Sequence, residues 1–281
     1  MPGPLGIGPA IFLADVSVTR LVKVLKMPPP ANGGTNHVHE FLESLFKDGE
    51  PALADVRQGS LAVCPIAAIL GALAYTPLGR KRIRGLIKEQ SAAVTTDLSG
   101  VAAEIGNRIK GDKIASTLGR FFTVTLEGTF EVSDVLYTDD ADRNWTPTYM
   151  RSPTGALWPC LIEKAYAVKI GSYEDLDDFS KHTLNEFWQV LVGKKPETIL
   201  AIHEKTRLSD IGDLAKVAAS VPTVGASRED ATDVLSSHGL ALMGLQGSSV
   251  LMQDPNKTKP ERISLEKFRS NFQAIFSGKP K

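Results

Sequence analysis

The sequence predicts an α+β protein in which helices dominate the first part of the chain and short strands dominate the rest. Residues 64–74 form an almost wholly apolar, alanine-rich run, which is typical of a buried helix. From residue 121 onward, apolar and polar residues begin to alternate, which is typical of strands. Because the two kinds of element are segregated along the chain rather than alternating, we expect an α+β arrangement.

Composition and charge narrow the class of protein. The chain has 281 residues, with 32 Lys and Arg against 32 Asp and Glu, so its formal net charge is zero. Nucleic-acid binding usually comes with a basic surplus, and we therefore expect no nucleic-acid partner. Two cysteines are too few for a disulfide-built scaffold or for a four-thiolate zinc site.

Segments that direct a chain into or across a membrane are not evident in the sequence. No apolar run reaches the roughly 18 residues that a transmembrane helix needs, and we expect no membrane insertion. The short apolar stretch at residues 11–14 ends at Asp15 and follows no basic segment, unlike a secretory signal peptide. We therefore expect a cytoplasmic protein, although export without a cleaved leader would leave no mark.

The first part of the chain is predicted to contain an arm followed by helices. Proline and glycine punctuate residues 1–35, which we interpret as an N-terminal arm. Apolar residues at helical spacing predict helices at residues 38–46, 64–74, 80–89 and 98–109. The second of these is apolar on every side, and Pro65 suits its first turn, where a missing N–H costs nothing.

Strands begin after that, with one further strong helix among them. Residues 121–125 and 129–136 are predicted strands joined by a turn at Glu127 and Gly128, and a polar loop follows at 139–145. A helix is expected at 157–168, and the acidic segment 175–181 is a candidate boundary and a solvated loop. Further short elements are predicted at 198–204, 209–219, 239–245 and 248–253, and a last helix at 264–276, capped by Ser264.

Cys64 is the candidate nucleophile because of its position at the start of the buried helix. A cysteine among apolar residues is usually an inert part of the core. A thiol at a helix N-terminus, however, meets the positive end of the helix dipole, which favours the nucleophilic thiolate. The free N–H groups there would also face an oxyanion formed beside it. Cys160 lies inside the predicted helix 157–168, and we interpret it as packing.

A nucleophile of this kind needs a base, and His238 is the candidate among five histidines. It follows Ser236 and Ser237 and opens the apolar strand predicted at 239–245, so it can face a cleft while the strand stays buried. The other histidines (His37, His39, His182 and His203) lie near the arm, near the boundary or in polar surroundings that fit surface roles.

Asp254 is the candidate group for orienting this base. It ends the next predicted strand, and a tight turn at Gln246 and Gly247 would bring it beside His238. A carboxylate that accepts the imidazole N–H would hold the ring in one tautomer and support the imidazolium. Asn256 is a weaker candidate for the same place.

At these residues the chain resembles the calpain-type branch of the papain-like cysteine proteases. Residues 55–64 (DVRQGSLAVC) are similar to the family's Gln-Gly-x-Leu-Gly-Asp-Cys-Trp block, and residues 157–167 (LWPCLIEKAYA) to its Trp-x-x-Leu-Leu-Glu-Lys-Ala-Tyr-Ala helix. His238 and Gly239 resemble the start of its His-Ala-Tyr block, and Asp254 with Pro255 its Asn-Pro-Trp block.

The resemblance implies a papain-like two-lobe fold with the active site in the cleft between the lobes. It implies a helical lobe over residues 36–180 that carries Cys64 and an antiparallel β-rich lobe over residues 181–281 that carries His238 and Asp254. It also implies that Gln58 and the Cys64 N–H stabilise the oxyanion. The implied function is endopeptidase cleavage of protein or peptide substrates through a Cys-His-Asp triad.

The chain departs from the family pattern next to the predicted site. Ala62 and Val63 replace Gly-Asp before the cysteine, Pro65 replaces the Trp after it, and Asp254 stands where the family usually has Asn. Family members often bind calcium through acidic loops, but the loss of the Asp at Val63 argues against it here. We expect no required cofactor or metal.

Two other functions use the same residues. Papain-like folds also host amidases, deamidases and transpeptidases, and a fold does not by itself define the reaction. A catalytically silent binding module would also keep the fold, although chemically competent residues stand at all the predicted site positions. Selective labelling of Cys64 by a thiol reagent would argue against a silent module.

Overall fold

The structure is a computed structural model that describes residues 27–31, 37–90, 120–138, 146–178 and 181–281. Helices and antiparallel sheets are mixed in it, in agreement with the α+β prediction at that level. The predicted helix at 98–109, the predicted loop at 139–145 and most of the arm lie outside the described residues.

The helices of the described part are seven, and we number them in chain order. They are α1 (Cys64–Tyr75), α2 (Pro77–Leu86), α3 (Trp158–Ile170), α4 (Tyr173–Asp177), α5 (Leu184–Val192), α6 (Leu208–Val217) and α7 (Leu265–Asn271), with a short 3₁₀ turn at Leu53–Asp55. The predictions at 64–74 and 157–168 are confirmed as α1 and α3. Gly171 ends α3 with a φ of 117°, in the region that favours glycine.

The strands form three antiparallel sheets. They are β1 (His37–Glu40), β2 (Ile87–Glu89), β3 (Phe121–Thr125), β4 (Thr129–Ser133), β5 (Val135–Thr138), β6 (Thr198–Ala201), β7 (Thr223–Ser227), β8 (Gly239–Gln246), β9 (Ser249–Gln253), β10 (Glu261–Ser264) and β11 (Phe272–Ser277). β1 pairs with β5, and β2–β3–β4 form a small sheet. The largest sheet has six strands in the order β10-β9-β8-β7-β11-β6.

Helix α1 lies at the centre of the larger of two hydrophobic clusters. Eleven of its residues, from Cys64 to Ala74, are buried. They belong to the same cluster as buried residues of α3 and of the small β2–β3–β4 sheet, and the helix contacts α2, α5 and β8 of the six-stranded sheet. The second cluster lies between that sheet and helices α6 and α7. An apolar helix of this kind is held by burial on every side rather than by one amphipathic face.

Two predicted helices are wrong in part or in whole. Residues 38–46 do not form a helix, because His37–Glu40 pairs as β1 with β5 and the chain after it is irregular. The predicted helix at 264–276 ends at Asn271, and the chain continues as β11 between β7 and β6. In both places pairing with a strand that is distant in sequence overrides the local apolar spacing.

Helices and strands are also less separated along the chain than the sequence predicts. Strands β1–β5 precede α3, and helices α5 to α7 lie among the later strands. The sequence reading missed α5 and β7, and it extended the helix after Pro77 over residues that form β2. The segment 175–181, predicted as a loop, begins inside α4. In the residues that the structure describes, no helix is long and apolar enough to cross a membrane.

Candidate active site

Cys64 is the first residue of α1 and is buried, with 4% of its surface exposed. Val63 is the N-cap, and because valine has no polar side-chain atom, the helix begins without a side-chain cap. Pro65 is the second helical residue. The Cys64 N–H belongs to the first turn and has no acceptor within the helix. It is therefore available to a group bound beside the thiol.

The loop before Cys64 is held tightly against its surroundings. A Cβ added to Gly59 would lie 1.4 Å from the Tyr149 carbonyl oxygen, so only glycine fits there. The Ser60 N–H donates to the Thr148 carbonyl at 3.0 Å. The Ala62 N–H donates to the Asp177 carboxylate at 2.6 Å. Asp177, predicted to belong to a solvated loop, thus helps to hold the chain two residues before the cysteine.

His238 lies directly before β8, and Ser227 of the neighbouring β7 holds its main chain. The His238 N–H donates to the Ser227 hydroxyl at 2.8 Å, and the Ser227 N–H donates to the His238 carbonyl at 2.8 Å. Ser237 has a φ of 49°, an uncommon left-handed conformation for a residue other than glycine. The backbone of His238 is therefore constrained on both sides.

The hairpin of β8 and β9 brings His238 and Asp254 together, as the sequence predicted. The two strands pair antiparallel across a turn at Gly247. His238 Nε2 lies 2.9 Å from Asp254 Oδ1, and both side chains are buried. The Asn256 N–H donates to the same carboxylate oxygen at 2.8 Å. Asn256 thus supports Asp254 with its main chain instead of taking its place.

The imidazole of His238 also interacts with the thiol of Cys64, and this interaction raises the pKa of the ring. Since Nε2 faces Asp254, the other ring nitrogen is the one available to sulfur. The close approach of β8 to α1 allows this contact. A Cβ added to Gly239 would lie 3.3 Å from Ala68 Cβ, from the Cys64 carbonyl oxygen and from Pro65 Cα.

Opposing influences act on the charge of His238. Burial is the largest, and it lowers the pKa of the imidazole because the charged ring loses its hydration. The hydrogen bonds and electrostatic interactions with Asp254 and Cys64 outweigh burial and raise the pKa of His238 from 6.5 to about 9. At neutral pH the ring is therefore held as an imidazolium beside sulfur.

Burial and hydrogen bonds also act in opposite directions on the pKa of Asp254. Burial would raise the pKa of its carboxyl group, but the hydrogen bonds from His238 and from the Asn256 N–H, with the charge of His238, lower it below 3.8. The carboxylate therefore stays ionised through the neutral range, which is the state that stabilises an imidazolium.

Gln58 lies in the loop that leads to Cys64. Its main-chain N–H donates to the Pro255 carbonyl at 3.1 Å, so the Gln58 loop is bound to the turn that follows Asp254. Its side-chain Nε2 donates to the Leu61 carbonyl at 2.7 Å. A carboxamide has two N–H groups, and this bond uses one of them.

The remaining histidines and the second cysteine lie in other parts of the protein. His39 is in β1 with its ring against Phe41, His182 precedes α5 with its ring against Phe187, and His203 follows β6. Cys160 is buried in α3, and its thiol donates to the Met150 carbonyl at 3.0 Å. Sequence reasoning missed the roles of Ser227 and Asp177, since no local pattern links either of them to its distant partner.

The acidic residues near α4 do not fit a calcium site. Asp175 accepts hydrogen bonds from Ser172 and Lys181, and Asp177 accepts the one from Ala62. Val63 offers no oxygen ligand from its side chain. Within the described ranges, no group of three or more His, Cys, Asp and Glu side chains could hold a metal ion.

Comparison with known proteins gives the family directly. A search of curated proteins finds no match. The model of the calpain family cysteine proteases matches residues 36–246, a span that contains Gln58, Cys64 and His238 and ends before Asp254. Such a protease is a cysteine-type peptidase, a hydrolase that acts on protein substrates. The match covers well over half of the chain, and the protein belongs to the calpain family of cysteine proteases.

Proposed function

We propose that the protein is an endopeptidase whose active site is a triad of Cys64, His238 and Asp254. The observation that carries the proposal is the position of His238, whose Nε2 bonds Asp254 and whose neighbour Gly239 packs against the first residues of α1, where Cys64 interacts with the ring. The arrangement supports a thiol nucleophile, a base beside it and a carboxylate that orients the base, which are the groups that acyl transfer requires.

The first half of the reaction forms a thioester. The Cys64 sulfur, having given its proton to His238, attacks the carbonyl carbon of the scissile peptide, and the carbonyl π electrons move to oxygen. The Cys64 N–H and the second Nε2–H of Gln58 donate to that oxyanion. As the C–N bond breaks, the imidazolium of His238 gives its proton to the departing amine.

The second half releases the acid product. A water molecule gives a proton to His238 as its oxygen attacks the thioester carbonyl, and the same two donors again stabilise the oxyanion. The C–S bond then breaks, and the sulfur leaves as a thiolate paired with the imidazolium. Asp254 keeps the ring oriented throughout and does not itself take the proton.

The site supports a papain-like two-lobe arrangement, with residues 36–180 and 181–281 as the lobes and residues 1–35 as an arm. Gln58 and Cys64 belong to the first range, and His238 and Asp254 to the second. The two hydrophobic clusters favour a division into two parts, but its boundary differs, because Val224 and Ala241 from the second range pack in the larger cluster together with five residues of α5 (Phe187, Trp188, Val190, Leu191 and Val192). The zero net charge favours a polypeptide over a nucleic acid as partner, and a cytoplasmic location stays a prediction.

The test is cleavage of a mixed peptide library by the purified protein of 281 residues, with and without calcium, read by mass spectrometry. We expect internal cleavage by the wild type and by Cys160→Ala, and none by Cys64→Ala, with the same products in calcium and in chelator. Full cleavage by Cys64→Ala would contradict the triad. Conversion of side-chain amides to acids without chain cleavage would identify a deamidase instead.

A further inference from the structure

Helix α3 carries the sequence motif that the proposed mechanism leaves unexplained. Its residues 157–167 match the family pattern closely, yet none of them enters the proposed chemistry. The structure connects this helix at two points to the chain just before Gln58. These connections lead from buried polar groups of α3 to the loop that carries the oxyanion donor.

The first connection is a buried hydrogen bond between Trp158 and Asp55. The Trp158 indole N–H donates to Asp55 Oδ2 at 2.7 Å, and the two residues are 103 positions apart in the sequence. Asp55 is 1% exposed, and the Ala52 N–H donates to the same oxygen at 2.8 Å. The Thr154 hydroxyl donates to Oδ1. Asp55 lies three residues before Gln58, so these donors hold the chain just before it.

The second connection reaches the residue directly before Gln58. Glu163 Oε2 accepts the Met150 N–H at 2.7 Å. The next residue, Arg151, exchanges two main-chain hydrogen bonds with Arg57, at 3.1 and 2.8 Å. Arg57 is adjacent to Gln58. Two buried polar groups of α3 therefore support the 3₁₀ turn before Gln58 and the pairing of Arg57 with Arg151 next to it.

We infer that Trp158 and Asp55 are positioning residues for the oxyanion hole, holding Gln58 at the distance from Cys64 that the tetrahedral intermediate needs. This inference rests on the proposed function. Trp158 acts through Asp55 and the loop, and not on the substrate. Catalysis by an oxyanion hole is sensitive to small displacements of the donor, so a support that keeps the loop rigid contributes to the rate.

The test replaces the indole by a ring without an N–H group, with a second tryptophan as control. Trp158→Phe removes the donor to Asp55. Trp188 is also fully buried in the same hydrophobic cluster, and its indole N–H has no hydrogen-bond partner among the described residues. Trp188→Phe therefore loses the same volume without losing a hydrogen bond. Circular dichroism establishes that both variants are folded.

Turnover and thiol alkylation then separate positioning from a general loss of structure. We expect Trp158→Phe to lower kcat about 10- to 100-fold with little change in KM, and Trp188→Phe to change kcat by less than about threefold. Alkylation of Cys64 by iodoacetamide displaces iodide and forms no oxyanion. Its rate and pH dependence should therefore be the same in Trp158→Phe as in the wild type.

A double variant tests whether Trp158 acts through Gln58. If Trp158 acts only through Gln58, the double variant Gln58→Ala/Trp158→Phe has the same kcat as Gln58→Ala alone. If Trp158→Phe does not fold, Asp55→Asn serves instead. It keeps the shape of the side chain but replaces one acceptor oxygen by an NH2 group, which would then face another donor. We expect the same fall in kcat and the same unchanged alkylation.

Three results would overturn the inference: equal kcat in the two tryptophan variants, alkylation slowed as much as turnover, or losses that multiply in the double variant. Each of them leaves the triad intact as long as Cys64→Ala is inactive. Full activity of Cys64→Ala would instead remove the proposed function on which the inference rests.

Discussion

The two cysteines occupy similar places and have different surroundings. Cys64 is the first residue of α1, and Cys160 is in the first turn of α3. Each helix has proline as its second residue, and both cysteines are almost fully buried, at 4% and 3% exposure. A helix N-terminus and burial are therefore common to both, and neither feature distinguishes a reactive cysteine from an inert one.

The side chain that each sulfur meets makes the difference. Cys64 contacts an imidazole that Asp254 holds in its charged form. Cys160 instead donates to a main-chain carbonyl. Burial, and then the charge of Glu163, raise the pKa of the Cys160 thiol far above its usual range. The position at a helix N-terminus is common to both cysteines, whereas a neighbouring cation, which favours the thiolate, is beside Cys64 alone of the two.

Selective alkylation gives the largest expected effect. In the native protein at neutral pH, iodoacetamide should modify Cys64 more than about 1000-fold faster than Cys160, because only the former faces an imidazolium. Peptide mapping after a timed reaction measures the two rates. In denaturant both sites should react alike. Equal native rates would remove the distinction between the two regions.

Removal of the carboxylate that charges His238 should have the next largest effect. We expect Asp254→Ala to lower kcat/KM about 100-fold and Asp254→Asn, which keeps a hydrogen-bond acceptor, about tenfold. The pH profile of the wild type should fall as pH rises through about 9, where His238 loses its proton. In both variants this fall should move to lower pH.

The same titration has a consequence for stability. The pKa of His238 is higher in the folded protein, about 9, than its ordinary value of 6.5, so its bonds stabilise the fold fully below pH 6.5. That contribution is lost as pH rises through about 9. Urea unfolding at a series of pH values measures it, with Asp233→Asn, whose carboxylate bonds Lys267 and Asn271, as control. An unchanged pH profile in Asp254→Asn would contradict the assignment.

A smaller effect is expected from the serine that holds the His238 main chain. Ser227→Ala should lower kcat/KM about tenfold and slow alkylation of Cys64, since the ring would no longer be held against sulfur. Ser277→Ala is the matched control, because this buried serine of the same sheet bonds Thr223 and not His238. Equal effects of the two variants would show that the Ser227 hydroxyl contributes only to folding.

The smallest expected effect concerns the contact between β8 and α1. Gly239→Ala places a methyl group 3.3 Å from three atoms of α1, so the strand must shift by a few tenths of an ångström. We expect kcat to fall about threefold to tenfold with the fold retained. Gly85→Ala in α2 is the control, because its new methyl group meets nothing within 4 Å. Unchanged kcat in Gly239→Ala would show that the contact tolerates this shift.

Much of the site is readable from short stretches of sequence. The apolar run after Cys64 predicts α1 with the cysteine at its N-terminus, and the hairpin of β8 and β9 places His238 beside Asp254 because an antiparallel pair returns to its own start. The capping box of Thr183 and Glu186 is also a local sequence signal for the start of α5, although the predicted elements do not include this helix. Such features depend on neighbours within a few residues.

Long-range pairing accounts for what the sequence reading got wrong. The apolar spacing of residues 38–46 fits a helix, but β5 offers a partner for His37–Glu40 and the chain becomes a strand. Likewise, Phe272–Ser277 leaves the predicted last helix because β7 and β6 pair with it on both sides. A periodic pattern indicates which residues are buried, but it does not indicate which segments of the chain they pack against.

By itself, the sequence determined the local elements and the residue types at the site: a cysteine opening a buried helix, a histidine opening a strand and an aspartate ending the next one. Only the tertiary structure decided that β8 packs on α1, so that His238 meets Cys64 and not Cys160. It also decided that Trp158 meets Asp55, 103 residues away. The physical reason is that local patterns arise from neighbours in the chain, whereas these contacts arise from the packing of distant segments into a shared core.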